Sequence, residues 1–127
     1  MDRSSPYRIL VEVEPAYLVH ESDPAENRYV FSYTVTIHNQ GAQSAKLLRR
    51  HWVITDAHGE RREVFGDGVV GEQPLLAPGG RFRYTSGALI KTPVGSMEGS
   101  YELISEDGTS FKAPIPAFTL AIPRTLH

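Results

Sequence analysis

Period-two alternation constrains this chain more than any other feature. Tyr29, Phe31, Tyr33, Val35 and Ile37 alternate with Val30, Ser32, Thr34, Thr36 and His38. Successive side chains of a strand point to opposite faces, so this run makes one apolar face and one mostly polar face. A helix would scatter the same residues around its circumference. The pattern recurs in Tyr7, Ile9, Val11 and Val13, in Phe82 and Tyr84, and in Tyr101 and Leu103. Leu47 to Thr55 reads as a strand with Trp52 and Ile54 toward the core, and Glu60 to Phe65 as its charged return.

Between these runs lie breakers. Pro15 is expected to end or bend the first strand, because proline cannot donate to a ladder. Asn39-Gln40-Gly41, Asp56-Ala57-His58-Gly59 and Pro78-Gly79-Gly80 read as turns, with Gly59 supplying a positive φ. Asp107-Gly108 suits a type I′ hairpin. Phe111, Ala113 and Ile115 share one phase while Phe118, Leu120 and Ile122 share the other, so a bulge or kink is predicted at Pro116. Glu21 to Asn27 reads as a long loop, and Ala42 to Leu48 as at most a short helical turn. No amphipathic helix is evident. About seven or eight strands with frequent turns predict an all-β fold, an antiparallel immunoglobulin- or fibronectin III-like β-sandwich, with a small barrel as runner-up.

The 127 residues suit a single domain over 1–127, able to bury a core without disulfides. There is no cysteine, which excludes a thiolate metal site. Met1 to Pro6 lacks the apolar stretch of a signal peptide, and no apolar run approaches the roughly 18 residues of a membrane span. The expectation is a cytoplasmic protein that does not engage a membrane. A net charge of −2 argues against nucleic acid as a partner.

Few residues suggest chemistry. Gly66-Asp67-Gly68-Val69-Val70-Gly71 spells G-x-G-x-x-G. In a dinucleotide fold such glycines open a helix whose N–H groups hold pyrophosphate. Here Pro74 and Pro78-Gly79-Gly80 leave no room for that helix, and Asp67 would repel phosphate. Gly66, Gly68 and Gly71 are therefore read first as a bulge and tight crossing, and second as an anion-binding backbone nest. Arg49, Arg50, Arg61 and Arg62 form a candidate basic patch for an acidic partner; the competing reading is an edge strand charged against aggregation. His51 and His58 could approach across the Asp56–Gly59 hairpin and hold a transition metal, although exposed histidines near a turn are the simpler account. His20, His38 and His127 show no ligand spacing. Ser86 has no nucleophile elbow and no evident histidine partner. Tyr17 is hard to place by phase and could be an exposed anchor. No catalytic residue, metal ligand set or cofactor is nominated.

Arg50-His51-Trp52-Val53-Ile54-Thr55-Asp56, then Gly66 to Pro74, Tyr84-Thr85-Ser86-Gly87, Thr92-Pro93 with Met97 and Gly99-Ser100-Tyr101, and Ile115-Pro116-Ala117-Phe118 together closely resemble the ApaG family. The match covers nearly the whole chain. The resemblance implies a fibronectin III-like sandwich and no established biochemical activity. It also implies a genetic link to cobalt resistance and magnesium efflux, gene neighbourhood with a diadenosine tetraphosphatase, and a protein-binding role of the kind suggested for eukaryotic domains in F-box and polymerase-delta-interacting proteins. Two functions follow as expectations. The first is a non-enzymatic module that binds another protein, with a homodimer left open. The alternative is a sensor of a nucleotide pyrophosphate or divalent cation, using the Gly66–Gly71 loop or the His51–His58 hairpin.

Overall fold

The computed structural model describes residues 7–123. Eight strands follow in order: β1 (Ile9–Tyr17), β2 (Tyr29–Asn39), β3 (Ala45–Asp56), β4 (Arg61–Asp67), β5 (Leu75–Leu76), β6 (Arg81–Ile90), β7 (Val94–Ser105) and β8 (Ser110–Ala121). One sheet has the order β1-β2-β6; the other has β4-β3-β7-β8, with β5 also pairing β3. Every pairing is antiparallel. The expected fibronectin III-like sandwich is therefore the fold.

The alternation explains what is buried. Phe31, Tyr33, Val35, Ile37 and Asn39 all face inward from β2. Trp52 sits among aromatic rings, with Tyr33 edge-on at 5.1 Å and Phe118 at 6.0 Å. Burial of each such large apolar side chain stabilises by roughly 1.5–3 kcal/mol. Among the described residues, the buried indole N–H of Trp52 has no hydrogen-bond partner, whereas the other buried polar side chains are paired. Asn39 donates to the carbonyls of Gln43 and Leu76 and accepts from the Gly41 N–H, pinning three segments to one side chain. The hydroxyls of Tyr84 on β6 and Tyr101 on β7 bond to each other, joining the two sheets. Burial pushes the Tyr84 phenol up to about 12 and raises Tyr101 as well.

Two irregularities set the faces. Met97 pairs with Phe118 and Gly99 with Ile115, so Pro116 and Ala117 oppose Glu98 alone. This is the bulge foreseen from the phase slip. A second bulge, not foreseen, falls at Leu48, between the pairs Leu47–Leu103 and Arg49–Glu102. It shifts the inward phase of β3, so Ala45 and Leu47 are followed inside by Trp52 and Ile54.

Several local expectations are corrected. β1 runs through Pro15, which lies opposite Tyr33; β1 is an edge strand, where a missing N–H can face away from the ladder. Glu106-Asp107-Gly108 is a three-residue loop rather than a type I′ turn. Ser105 N–H donates to the Thr109 carbonyl, and Gly108 has φ +86° while Asp107 does not enter the positive region. Ala42 to Leu48 holds no helical turn, because Ala45 already pairs in β3. The segment after β1 is not featureless: it contains 3₁₀ turns at Val19–Glu21 and Pro24–Glu26. Asp23 and Arg28 exchange backbone hydrogen bonds across the second turn.

Candidate functional site

Adjacent residues of a strand point to opposite faces, and this separates the four arginines. Arg49 points outward and its Nε lies 3.0 Å from Glu102 Oε1 on β7. Both groups are substantially exposed, so the pair contributes little stability. Arg50 takes the opposite phase and lies across from Gly66. A Cβ at Gly66 would stand 2.6 Å from Arg50 Cζ, so the missing side chain is the slot that admits the guanidinium. Arg50 Nη1 then donates to the carbonyls of Asp67 and Gly68, 3.0 Å each. Arg61 is exposed, while Arg62 donates from Nη2 to the Leu89 carbonyl of β6 at 3.1 Å. The structure does not gather these four charges into one patch.

The glycine motif forms the end of β4 and a tight hairpin. Val69 and Glu72 exchange both backbone hydrogen bonds, at 2.8 and 2.9 Å. The two residues between them, Val70 and Gly71, have φ of 43° and 82°. Positive φ at both central positions marks a type I′ turn. Gly68 has φ +61°, and a Cβ there would meet the Glu72 carbonyl oxygen at 2.2 Å. Its N–H donates to the Leu48 carbonyl. The N–H groups of Gly68, Val69 and Glu72 are thus engaged with backbone, and two loop carbonyls face a cation.

His51 and His58 are not brought together. His51 lies mid-strand and His58 is in the turn beyond β3, about 17 Å along an extended backbone to Asp56 alone. His58 N–H instead donates to Asp56 Oδ1. Among the described residues no group of three or more His, Cys, Asp and Glu side chains could hold a metal ion. His127 lies outside the described residues. Ser86 is half-buried on the inward phase of β6. Tyr17 is also half-buried, with its ring 5.3 Å from that of Phe31.

The residue that sequence reasoning missed is Phe65. It is 70% exposed, on the outer face of β4. Its ring stacks on His51, with centroids 4.2 Å apart and planes 3° from parallel. His51 Nε2 lies 3.2 Å from Glu63 Oε1. A signal was available: Val64 and Phe65 are consecutive, and only one of them can face the core. Beside Phe65 a groove of about 370 Å³ crosses the outer face of the five-stranded sheet. Arg49, His51, Ser100, Glu102 and Lys112 line it, from β3, β7 and β8.

Comparison with known proteins agrees with this architecture. The ApaG domain family matches residues 19–105. Protein ApaG of Thiobacillus denitrificans is 57% identical over 127 residues, covering all of both chains. Protein ApaG of Methylococcus capsulatus is 58% identical over 125 residues, covering 98% of this chain and 99% of that one. A solved structure described as a putative ApaA protein from Bordetella pertussis superposes with a TM-score of 0.93 at 50% identity, covering 96% of this chain and 99% of the other. The chain belongs to the ApaG family. The names of these relatives specify no reaction. Among the described residues, no helix is long and apolar enough to cross a membrane.

Proposed function

We propose that this protein is a non-enzymatic module that binds another protein through the outer face of its five-stranded sheet. The observation that carries this reading is Phe65: a large aromatic ring, 70% exposed, backed by a stacked imidazole at the rim of a groove. Exposed aromatics set in a polar rim are the usual energetic anchors of protein interfaces. The neighbouring side chains do not converge on a reaction. Ser100 stands across from His51 in register, yet among the described residues no hydrogen bond joins them, and His51 Nε2 is directed at Glu63. A nucleophile needs its base within hydrogen-bond reach.

The alternative, a sensor of a nucleotide pyrophosphate or of a cation such as cobalt or magnesium, draws support from the groove volume, which falls in the small-molecule range. It draws none from the glycine hairpin, whose N–H groups are largely engaged. A photo-crosslinking residue at position 65 separates these readings. It should give discrete protein adducts in cells, while the same residue at Thr34, on the other sheet's outer face, should not. Equal labelling at both positions, or no adduct at 65, sinks the docking reading. A saturable thermal shift with pyrophosphate or cobalt would support the sensor instead.

A further inference from the structure

We infer that the open edge of β6 pairs with the same edge of a second copy of this chain, antiparallel, about a two-fold axis at Thr85. The backbone decides which groups are available. Asn39 N–H bonds to the Gly80 carbonyl, which continues the β2–β6 register. Hydrogen-bonded pairs in an antiparallel ladder recur at every second residue, so the even-numbered residues of β6 bond to β2. The odd-numbered residues turn their N–H and C=O groups away from β2. The Leu89 carbonyl agrees, because Arg62 reaches it from β4 on the other sheet. Arg83, Thr85 and Gly87 are exposed, and among the described residues no partner in the chain takes up their backbone groups.

The other sheet edges are guarded. β1 carries Glu14 and Pro15 and packs beside β8. β8 carries Lys112, Pro114 and Pro116, and its register with β7 is broken at the last of these. β4 is short and carries Arg61, Arg62 and Glu63. Charge, proline, short length and bulges are what keep sheet edges from pairing. From Tyr84 to Ile90, β6 has no charge and no proline, and its register with β2 is unbroken.

The open stretch is complementary to itself. Arg62 caps it at Leu89, which leaves Arg83 to Gly87 with Thr85 at the centre. In an antiparallel pair centred there, Thr85 meets the partner's Thr85, and Arg83 meets the partner's Gly87 on each side of the axis. Each hydrogen-bonded pair exchanges two bonds, so the three pairs make about six. The glycine leaves bare backbone for the arginine stem to cover. The two Arg83 charges fall at opposite ends, whereas a parallel pair would set them side by side at a cost. A patch that is its own complement about a two-fold axis closes as a dimer and does not propagate. The two three-stranded sheets then become one of six strands.

The test is sedimentation velocity of the full chain over a concentration series, with Thr85→Pro beside it. The unaltered chain should approach twice its mass of 14.1 kDa as concentration rises. Proline at position 85 removes an N–H that β2 does not use, so the variant should keep the monomer fold and stay at the single mass throughout. Should that variant fail to fold, amide exchange of the unaltered chain decides. Thr85 and Gly87 should exchange at least tenfold more slowly in concentrated than in dilute samples, while Tyr84 and Ser86 stay protected in both. A single mass at millimolar concentration, a dimer that Thr85→Pro leaves intact, or rapid exchange at Thr85 and Gly87 in the most concentrated sample overturns the inference.

Discussion

The outer face of β1-β2-β6 carries Glu12, Thr34, Thr36, Arg83 and Thr85, whereas that of β4-β3-β7-β8 carries Arg49, His51, Phe65 and Lys112. The registers of the first sheet run without a break, and the hydroxyls of Thr34 and Thr85 bond across strands at 2.8 Å. The second is broken by two bulges, at Leu48 and opposite Glu98. A bulge bends its strand and raises the local twist, which tilts neighbouring side chains apart. The groove lies on the bulged sheet. The comparison teaches that the groove goes with the sheet whose pairing is irregular, although both outer faces are polar.

The sharpest way to break this comparison is to add one methyl group to each sheet. Gly99 lies beside a bulge, and a Cβ there would stand 2.0 Å from the His51 carbonyl oxygen. Gly99→Ala should cost about 3 kcal/mol or more in urea denaturation, as overpacking against backbone does. Gly87 on β6 has only the Phe31 carbonyl at 3.5 Å, an ordinary contact, so Gly87→Ala should change stability by less than about 1 kcal/mol. Similar losses at both sites would remove the distinction between the sheets.

The bond that joins the sheets has a pH signature. The folded-state Tyr84 phenol ionises near 12 against 10.0 in the unfolded chain. Above pH 10 the unfolded state releases a proton that the native state keeps, so stability is full below pH 10 and falls as pH rises through about 12. At about 1.4 kcal/mol per unit the loss is of order 2–3 kcal/mol. Tyr84→Phe should reduce this alkaline slope in denaturation series between pH 9 and 12, leaving the part that the raised Tyr101 phenol contributes. An unchanged slope would mean that the pair does not govern it.

Gly66→Ala comes next, at roughly 1–2 kcal/mol, because the added Cβ must displace the flexible Arg50 side chain from its two carbonyls. Arg50→Met with Gly66→Ala should then cost less than the sum of the two single changes, and strict additivity in that double-mutant cycle would deny the slot its role. The smallest stability effect belongs to Phe65→Ser. The exposed ring should contribute no more than about 0.5 kcal/mol to folding, yet its removal should abolish adducts placed elsewhere along the groove, for instance at Ser100. Adduct yield equal to that of the unaltered chain would point away from Phe65 as the anchor.

Much of this molecule is legible in its alternation. The inward phase of β2 and the bulge at Pro116 follow from counting residues in twos, and the positive φ at Gly59 follows from turn chemistry. The same counting warns that Arg49 and Arg50, or Arg61 and Arg62, cannot share a face. The bulge at Leu48 escapes such counting, since Leu47 and Leu48 are both apolar and either could be the extra residue. The turn at Val70-Gly71 escapes it too, because a β-branched residue at φ 43° runs against its own steric preference and is held by the Val69–Glu72 bonds.

The sequence by itself determined that this chain pairs strands, which side chains face inward, and its membership of the ApaG family. Only the tertiary structure decided that Phe65 meets His51, that Gly66 makes room for Arg50, and that Lys112 shares a groove with Arg49. Alternation is a local property of one strand and can be read along the chain. Which strand lies beside which, and in what register, depends on contacts between residues far apart in sequence, and the groove is made entirely of those.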